Sequence, residues 1–399
     1  MGGGASVRVI SDRKQEAGMI YLDLHLDWSP HKLVQTLYEW ARRRGAQPVL
    51  LRLDAQGWPE RVSLHFVRDR IYKYSFGNQY HQFEIDLPEA MRIVCDFYLK
   101  LRMAAALFLR VQRFAKAAEE RGMSFSQAVE AWPCWEVGYA DVLAIPGRER
   151  VMVLDPFWAM YEAGRWILQF REGERRSDVG IRVPDPIMRA PPRPPEELGI
   201  RWGSGKVLWE WDPQRFWVNI PRSEEGRVVI THLAHWLALP PEEIVRRIMR
   251  PTEDPLSDWY EILGLGSPYT RTNSLDALIF ERGRVFRAFI VGKTVDRHHA
   301  EEVSKERAAE LIAEQKLRLR RAAVYAAWAE ASAERYHIDL QKWIHLDALA
   351  TFGFAREEDV PSEALGAIKE KRSELLRLYE TGLFVLEACR LSEGASTSF

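Results

Sequence analysis

The sequence predicts an α+β fold: an N-terminal mixed sheet with helices, central β-hairpins with a helix-turn-helix-like pair, and a C-terminal helical region. Three observations predict it. Before Pro88, short runs such as "RVSLHFV" alternate apolar and polar residues, the period of a half-buried strand. From Pro88 to about Glu120, and again from about His298 to Cys389, apolar residues recur at helical spacing. Between these helical stretches, "DALIFERGRVFRAFIV" places two β-rich runs on either side of an Arg-Gly turn.

Taken in order, "IYLDLHL" opens as a strand and "SPHKLVQTLYEWARRRG" follows as a helix. Ser29 supplies its cap, Pro30 its first residue and Gly45 its end. "PVLLRLD", "RVSLHFVRD" and "IYKYSF" read as further strands, and residues 1–87 as a small mixed α/β unit. Residues 88–180 read as the long helix, a Ser-capped helix at "SFSQAVEAW" and a hairpin, "ADVLAIPGRERVMVLD", around Pro-Gly. "VPDPIMRAPPRPPEELG" holds six prolines in seventeen residues, so 181–199 is predicted as a linker or strap. Residues 200–295 carry two Trp-rich strands, a helical pair from Thr231 to Arg250 and the second hairpin, and 296–399 are helical, with breaks near Gly353 and Pro361. No internal repeat shows at a fixed period.

Composition narrows the function classes. With 47% hydrophobic and 28% charged residues over 399 positions, the chain has the profile of a soluble protein of two or three domains. A formal net charge of -1 gives no global basic field, so nucleic-acid binding would require a local patch. Three cysteines, far apart and without a CxxC pair, argue against a disulfide framework or zinc ribbon. A cytoplasmic location is expected, with no membrane span and no signal-peptide core.

Metal chemistry has one candidate stretch, "IYLDLHLDWSPH", with His25, Asp27 and His31 as possible ligands. Its "DLH" at a strand end, followed by a helix, resembles the first motif of PHP-type phosphoesterases, and "VLLRLD" ending at Asp54 matches their second strand. That resemblance implies a divalent-metal hydrolase, yet the later histidine and glutamate motifs are missing. The simpler reading places Tyr21, Asp23, His25 and Asp27 on the wet face of a strand and Leu22, Leu24 and Leu26 on the dry one. "WEVGYADVLAIPGRERVMVLDPFW" has the outline of a restriction-type nuclease core, with Asp141 and Asp155 as acids. Phe157 stands where the lysine belongs, so the element that activates water is missing. "GSGKV" lacks the hydroxyl residue and the helix of a phosphate loop.

Nucleic-acid contact has three candidate regions. "ITHLAHWLALPPEEIVRRIMR" resembles a helix-turn-helix, with Ala234 in the first helix and Ile244 and Ile248 inward in the second. Glu242 and Glu243 make its recognition end acidic, leaving Arg246, Arg247 and Arg250 for backbone phosphates. The Trp-rich strands interleave cations and aromatics, namely Arg201, Lys206, Trp209, Trp211 and Arg215, a pattern that can stack single-stranded bases. On the C-terminal helix, Lys316, Arg320 and Arg321 form a basic stripe. The preferred reading is therefore a non-catalytic nucleic-acid-binding component of a larger prokaryotic or phage assembly, with other protein subunits as partners and no cofactor. A structural or assembly subunit without nucleic acid, and an unrecognised metal-dependent hydrolase, are the alternatives.

Overall fold

The computed structural model describes residues 20–23, 29–45, 48–53, 61–76, 80–172, 180–204, 227–253, 259–266, 274–291 and 294–395. The chain forms two compact units, each assembled from three segments. Unit 1 holds residues 1–125, 155–191 and 344–372, and unit 2 holds 126–154, 192–343 and 373–399.

Along the first half run β1 (Ile20–Asp23), α1 (Pro30–Arg44), β2 (Val49–Leu53), β3 (Arg61–Val67), β4 (Arg70–Phe76) and β5 (Tyr80–Ile85). They form a sheet in that strand order, with β1 parallel to β2 across α1 and every other pair antiparallel. Ser29 accepts the Lys32 N–H and Pro30 occupies the first turn, so the predicted cap of α1 is present. Leu33, Val34, Leu37 and Ala41 line the buried stripe of α1, and Val49, Leu51, Leu53, Leu64, Phe66 and Ile71 are buried in the sheet. α2 (Leu87–Glu119) follows, capped by Asp86, then α3 (Phe125–Glu136), a 3-10 turn at Val142–Ala144, α4 (Gly147–Glu172) and the short α5 (Asp185–Met188).

The second half runs β6 (Arg227–His232), a 3-10 turn (Leu233–Trp236), α6 (Pro241–Thr252), β7 (Trp259–Gly264), β8 (Ser274–Glu281), β9 (Arg284–Val291) and β10 (Thr294–Val303). Again the strands lie in sequence order, the first pair parallel across the helix and the rest antiparallel. α7 (Lys305–Arg335), α8 (Leu340–Thr351), 3-10 turns at Glu357–Asp359 and Ser362–Ala364, and α9 (Leu365–Ala395) complete it. Leu263, Leu278, Phe280 and Val285 of the sheet share one core with Ile244 and Ile248 of α6 and Ile312 and Leu319 of α7.

The two halves are copies of one plan. "FVRDRIYK" and "FERGRVFR" make the β3–β4 and β8–β9 turns, each with an arginine at positive φ (Arg68, Arg282). The same cross-strand ion pair follows each turn, Arg70–Glu84 and Arg284–Glu302. "PHKLVQTLY" and "PEEIVRRIM" make α1 and α6, and "LKLRMAA" and "LRLRRAA" sit in α2 and α7, helices of 33 and 31 residues. α3 and α8 are both 12 residues long and end in "EVGY" and "TFGF". "YEAGRWIL" and "YETGLFVL" lie in α4 and α9, where Tyr161 bonds Gln112 and Tyr379 bonds Glu330 at matching places. The copies exchange parts: α3 with the start of α4 belongs to unit 2, whereas most of α8 with the start of α9 belongs to unit 1.

Four expectations need correction. The chain does carry a repeat; short insertions, such as the irregular register between Asp296 and Glu301 in β10, destroy any fixed period. The region 141–155 is not a hairpin: Pro146 and Gly147 open α4, where the Pro146 carbonyl accepts the Arg150 N–H. That also removes the nuclease outline, since Asp141 caps a 3-10 turn, Asp155 lies on a helix and Phe157 is buried. The helix-turn-helix lacks its first helix, because Thr231 and His232 end a strand and Leu233–Trp236 is a single 3-10 turn. Finally, residues from His298 to Val303 belong to β10, and the C-terminal helices start at Lys305. The contacts also divide the chain differently from the five consecutive regions read from sequence, with one boundary falling at Pro191–Pro192 inside the proline-rich run.

Matching glycines hold the long helices together. A Cβ on Gly164 would strike the Ala104 carbonyl of α2, and one on Gly382 would strike the Ala322 carbonyl of α7. Gly366, near the start of α9, faces open space. Gly164→Ala and Gly382→Ala should each lower stability by about 1–3 kcal/mol through overpacking. Gly366→Ala should raise it by about 0.5–1 kcal/mol through helix propensity, and denaturant midpoints read the opposite signs directly.

Candidate functional site

Among the described helices, some cations are buried inside a unit and others lie on the surface. Arg102 of α2 is buried. It donates to the carbonyls of Phe352 (2.9 Å), Gly353 (2.6 Å) and Gly180 (2.8 Å) and stacks on Phe354. Arg320, its equivalent in α7, donates to the carbonyls of Val137, Gly138 and Leu237 and lies 3.7 Å from the Tyr139 ring centre. Gly353 and Gly138 have φ of 67° and 72°, the conformation that ends α8 and α3 and turns their carbonyls toward the guanidinium. Five N–H donors in a rigid plane suit this use, and a lysine could not reproduce it.

Unit 2 adds a second buried group. Lys316 (1% exposed) pairs with Glu149 (0% exposed) at 3.1 Å, and the Tyr139 hydroxyl donates to the other Glu149 oxygen. Burial lowers the Lys316 pKa, opposed by the adjacent carboxylate. Burial likewise pushes the Tyr139 phenol well up, so the phenol keeps its proton and acts as donor. At the matching positions of unit 1 stand Tyr98, Ala364 and Phe354, with Tyr98 bonded by Arg102 at 3.3 Å.

The sequence-derived site residues divide accordingly. Lys316 and Arg320 are buried and engaged, so the stripe expected of Lys316, Arg320 and Arg321 leaves only Arg321 at the surface. The helical spacing was right but the face was wrong. The Ala-rich stripe beside Arg320 packs inward and carries the cation with it. Arg246, Arg247 and Arg250 do line the exposed side of α6, opposite buried Ile244, Val245, Ile248 and Met249. Arg246 and Arg247 both bond Glu243. Arg201 is exposed, while Lys206, Trp209, Trp211 and Arg215 lie outside the described residues.

His25 and Asp27 also lie outside them. His31 is exposed at the start of α1, where its backbone N–H donates to Glu363. Among the described residues, no three His, Cys, Asp or Glu side chains gather closely enough to hold a metal ion, and no helix is long and apolar enough to cross a membrane.

One surface escaped the sequence reading. α1, the counterpart of α6, ends in exposed Arg42, Arg43 and Arg44, with Lys32 on the same helix. Arg44 stacks on Trp40 at 4.3 Å and Arg43 lies 3.8 Å from Glu39. The "ARRR" run was visible; the repeat matches α1 with α6 as helices, with Gln35, Thr36 and Glu39 of α1 at the positions of Arg246, Arg247 and Arg250. No protein-family model, no curated protein and no solved structure matches the chain.

The division into buried and surface cations has a measurable consequence. Arg320→Ala should lower stability by about 3 kcal/mol or more, because several buried carbonyls lose their donor at once. Arg321→Ala, one residue along, should change it by less than about 0.5 kcal/mol. Equal effects in urea unfolding would contradict the assignment.

Proposed function

We propose that the protein is a nucleic-acid-binding component of a larger assembly, gripping phosphate backbones through the outer faces of α1 and α6. One observation carries this reading: in both copies of the repeat, the helix that joins the parallel strands presents arginines to solvent. Arg42, Arg43 and Arg44 serve in one copy and Arg246, Arg247 and Arg250 in the other. A chain with a net charge of -1 gains local basic fields by such segregation. The exposed pairs with Glu243 and Glu39 do not compete strongly, since surface ion pairs contribute only about 0–1 kcal/mol.

The acidic amino end of α6, with Glu242 and Glu243, disfavours insertion into a major groove. Contact is therefore with the backbone, and sequence preference should be weak.

Fluorescence anisotropy with labelled single- and double-stranded oligonucleotides tests this over a salt series. Charge reversal of Arg246, Arg247 and Arg250 to Glu should weaken binding and reduce the duplex salt slope by about 2–3. Reversal of Arg42, Arg43 and Arg44 should do the same in the other copy. Absence of binding to any DNA or RNA at low salt, with folded protein, defeats the reading, and an assembly subunit without nucleic acid then takes its place.

A further inference from the structure

The exchange of segments 126–154 and 344–372 between the copies needs something to direct it. Each segment follows the long helix of its own copy, α2 or α7, after a short connection, and each re-enters a long helix of that copy, α4 or α9. Each also presents the same docking surface: a positive-φ glycine and an aromatic residue (Gly138 and Tyr139, Gly353 and Phe354), then Ile145-Pro146 or Val360-Pro361. Both long helices offer the same arginine in return, Arg102 or Arg320. By these shared features alone, either segment fits either helix.

The pairs differ in charge at two places. In unit 1 Asp347 of the segment lies 3.9 Å from Arg110 of α2, where unit 2 has Trp132 and Trp328 at the matching positions. The second difference is the more deeply buried. Three residues after the shared proline, unit 2 has Glu149 and unit 1 has Ala364, both fully buried. On the facing long helix, at matching positions, stand Lys316 and Tyr98, also buried. Large therefore meets small in unit 1, and anion meets cation in unit 2. We propose that the Glu149–Lys316 ion pair is a pairing key that directs segment 126–154 onto α7 and leaves segment 344–372 for α2.

Folding each segment back on its own helix would break both matches. Glu149 would be buried against Tyr98 without its lysine. Lys316 would face Ala364, burying an ammonium with no anion and leaving a void. Removing one partner of a buried pair is far more damaging than replacing both, so such pairs are suited to choosing between arrangements. Tyr139 travels with Glu149 on the same segment and cannot discriminate.

The full-length chain provides the test. Spin labels on Leu143→Cys and Arg318→Cys report whether segment 126–154 lies on α7. Leu143 is 81% exposed, Arg318 is exposed, and their neighbours Val142 and Leu317 share one cluster. The otherwise native chain should give one short-distance population. Moving the key, with Glu149→Ala plus Ala364→Glu, should add a long-distance population after unfolding and refolding. Should that variant fail to fold, Glu149→Ala plus Lys316→Tyr, which gives both units the unit 1 pair, serves instead. It should melt above either single variant and also show two populations. A folded moved-key variant with the single native distance would overturn the proposal. So would a Glu149→Ala plus Lys316→Tyr variant that melts no higher than the weaker single variant.

Discussion

A guanidinium buried against backbone carbonyls is the constraint on which the rest of this structure depends. Burying a cation is tolerable only when every donor finds an acceptor and the surroundings fix the geometry. Here that requirement reaches outward in three directions. The carbonyls at the ends of α3 and α8 must turn toward the arginine, which demands a residue at positive φ, and glycine is the residue that adopts it without strain. An aromatic ring must follow, as Tyr139 and Phe354 do, to cover the face of the guanidinium. The long helices must also carry small residues beside the arginine, Ala104 and Ala105 or Ala322 and Ala323, so that α4 and α9 can pass closely at Gly164 and Gly382.

Because the same arrangement occurs twice, each unit inherits both its strength and its ambiguity. Shared anchors explain how two segments of equal character can be accommodated, and the unshared Glu149–Lys316 pair, with Arg110–Asp347 in the other unit, distinguishes them. The cations then have divided duties. Arg102, Arg320 and Lys316 hold the interior, and the surface arginines of α1 and α6 are free of that duty. The proposed grip on phosphate backbones uses only this second set, so it can be removed by charge reversal without touching the anchors.

Much of the fold was legible in the sequence. Ser29, Pro30 and Gly45 bracketed α1 because caps are local chemistry, and the β8–β9 hairpin announced itself by alternation around Arg282-Gly283. The broad apolar face after Pro88 marked α2 for the same reason. What failed was governed by distant partners. Val142 to Leu154 is rich in β-formers, yet it forms a 3-10 turn and, from Gly147, the start of α4, with Ile145 and Glu149 buried. Lys316, Arg320 and Arg321 looked alike in sequence, and only the partner segment decides which of them are inside. The repeat hid because its insertions fall in connections and in β10, while the matched residues are a sparse set: an arginine, a glycine and a few small or aromatic neighbours.

Amide hydrogen exchange at the ends of α3 and α8 tests the anchoring role most directly. The Tyr139 N–H donates to Cys134 and the Phe354 N–H to Leu349, closing the glycine turns that face Arg320 and Arg102. If the arginines hold these turns, both amides should exchange only with global unfolding, as slowly as the centres of α2 and α7. Early exchange at Tyr139 and Phe354 while α2 and α7 remain protected would contradict the account.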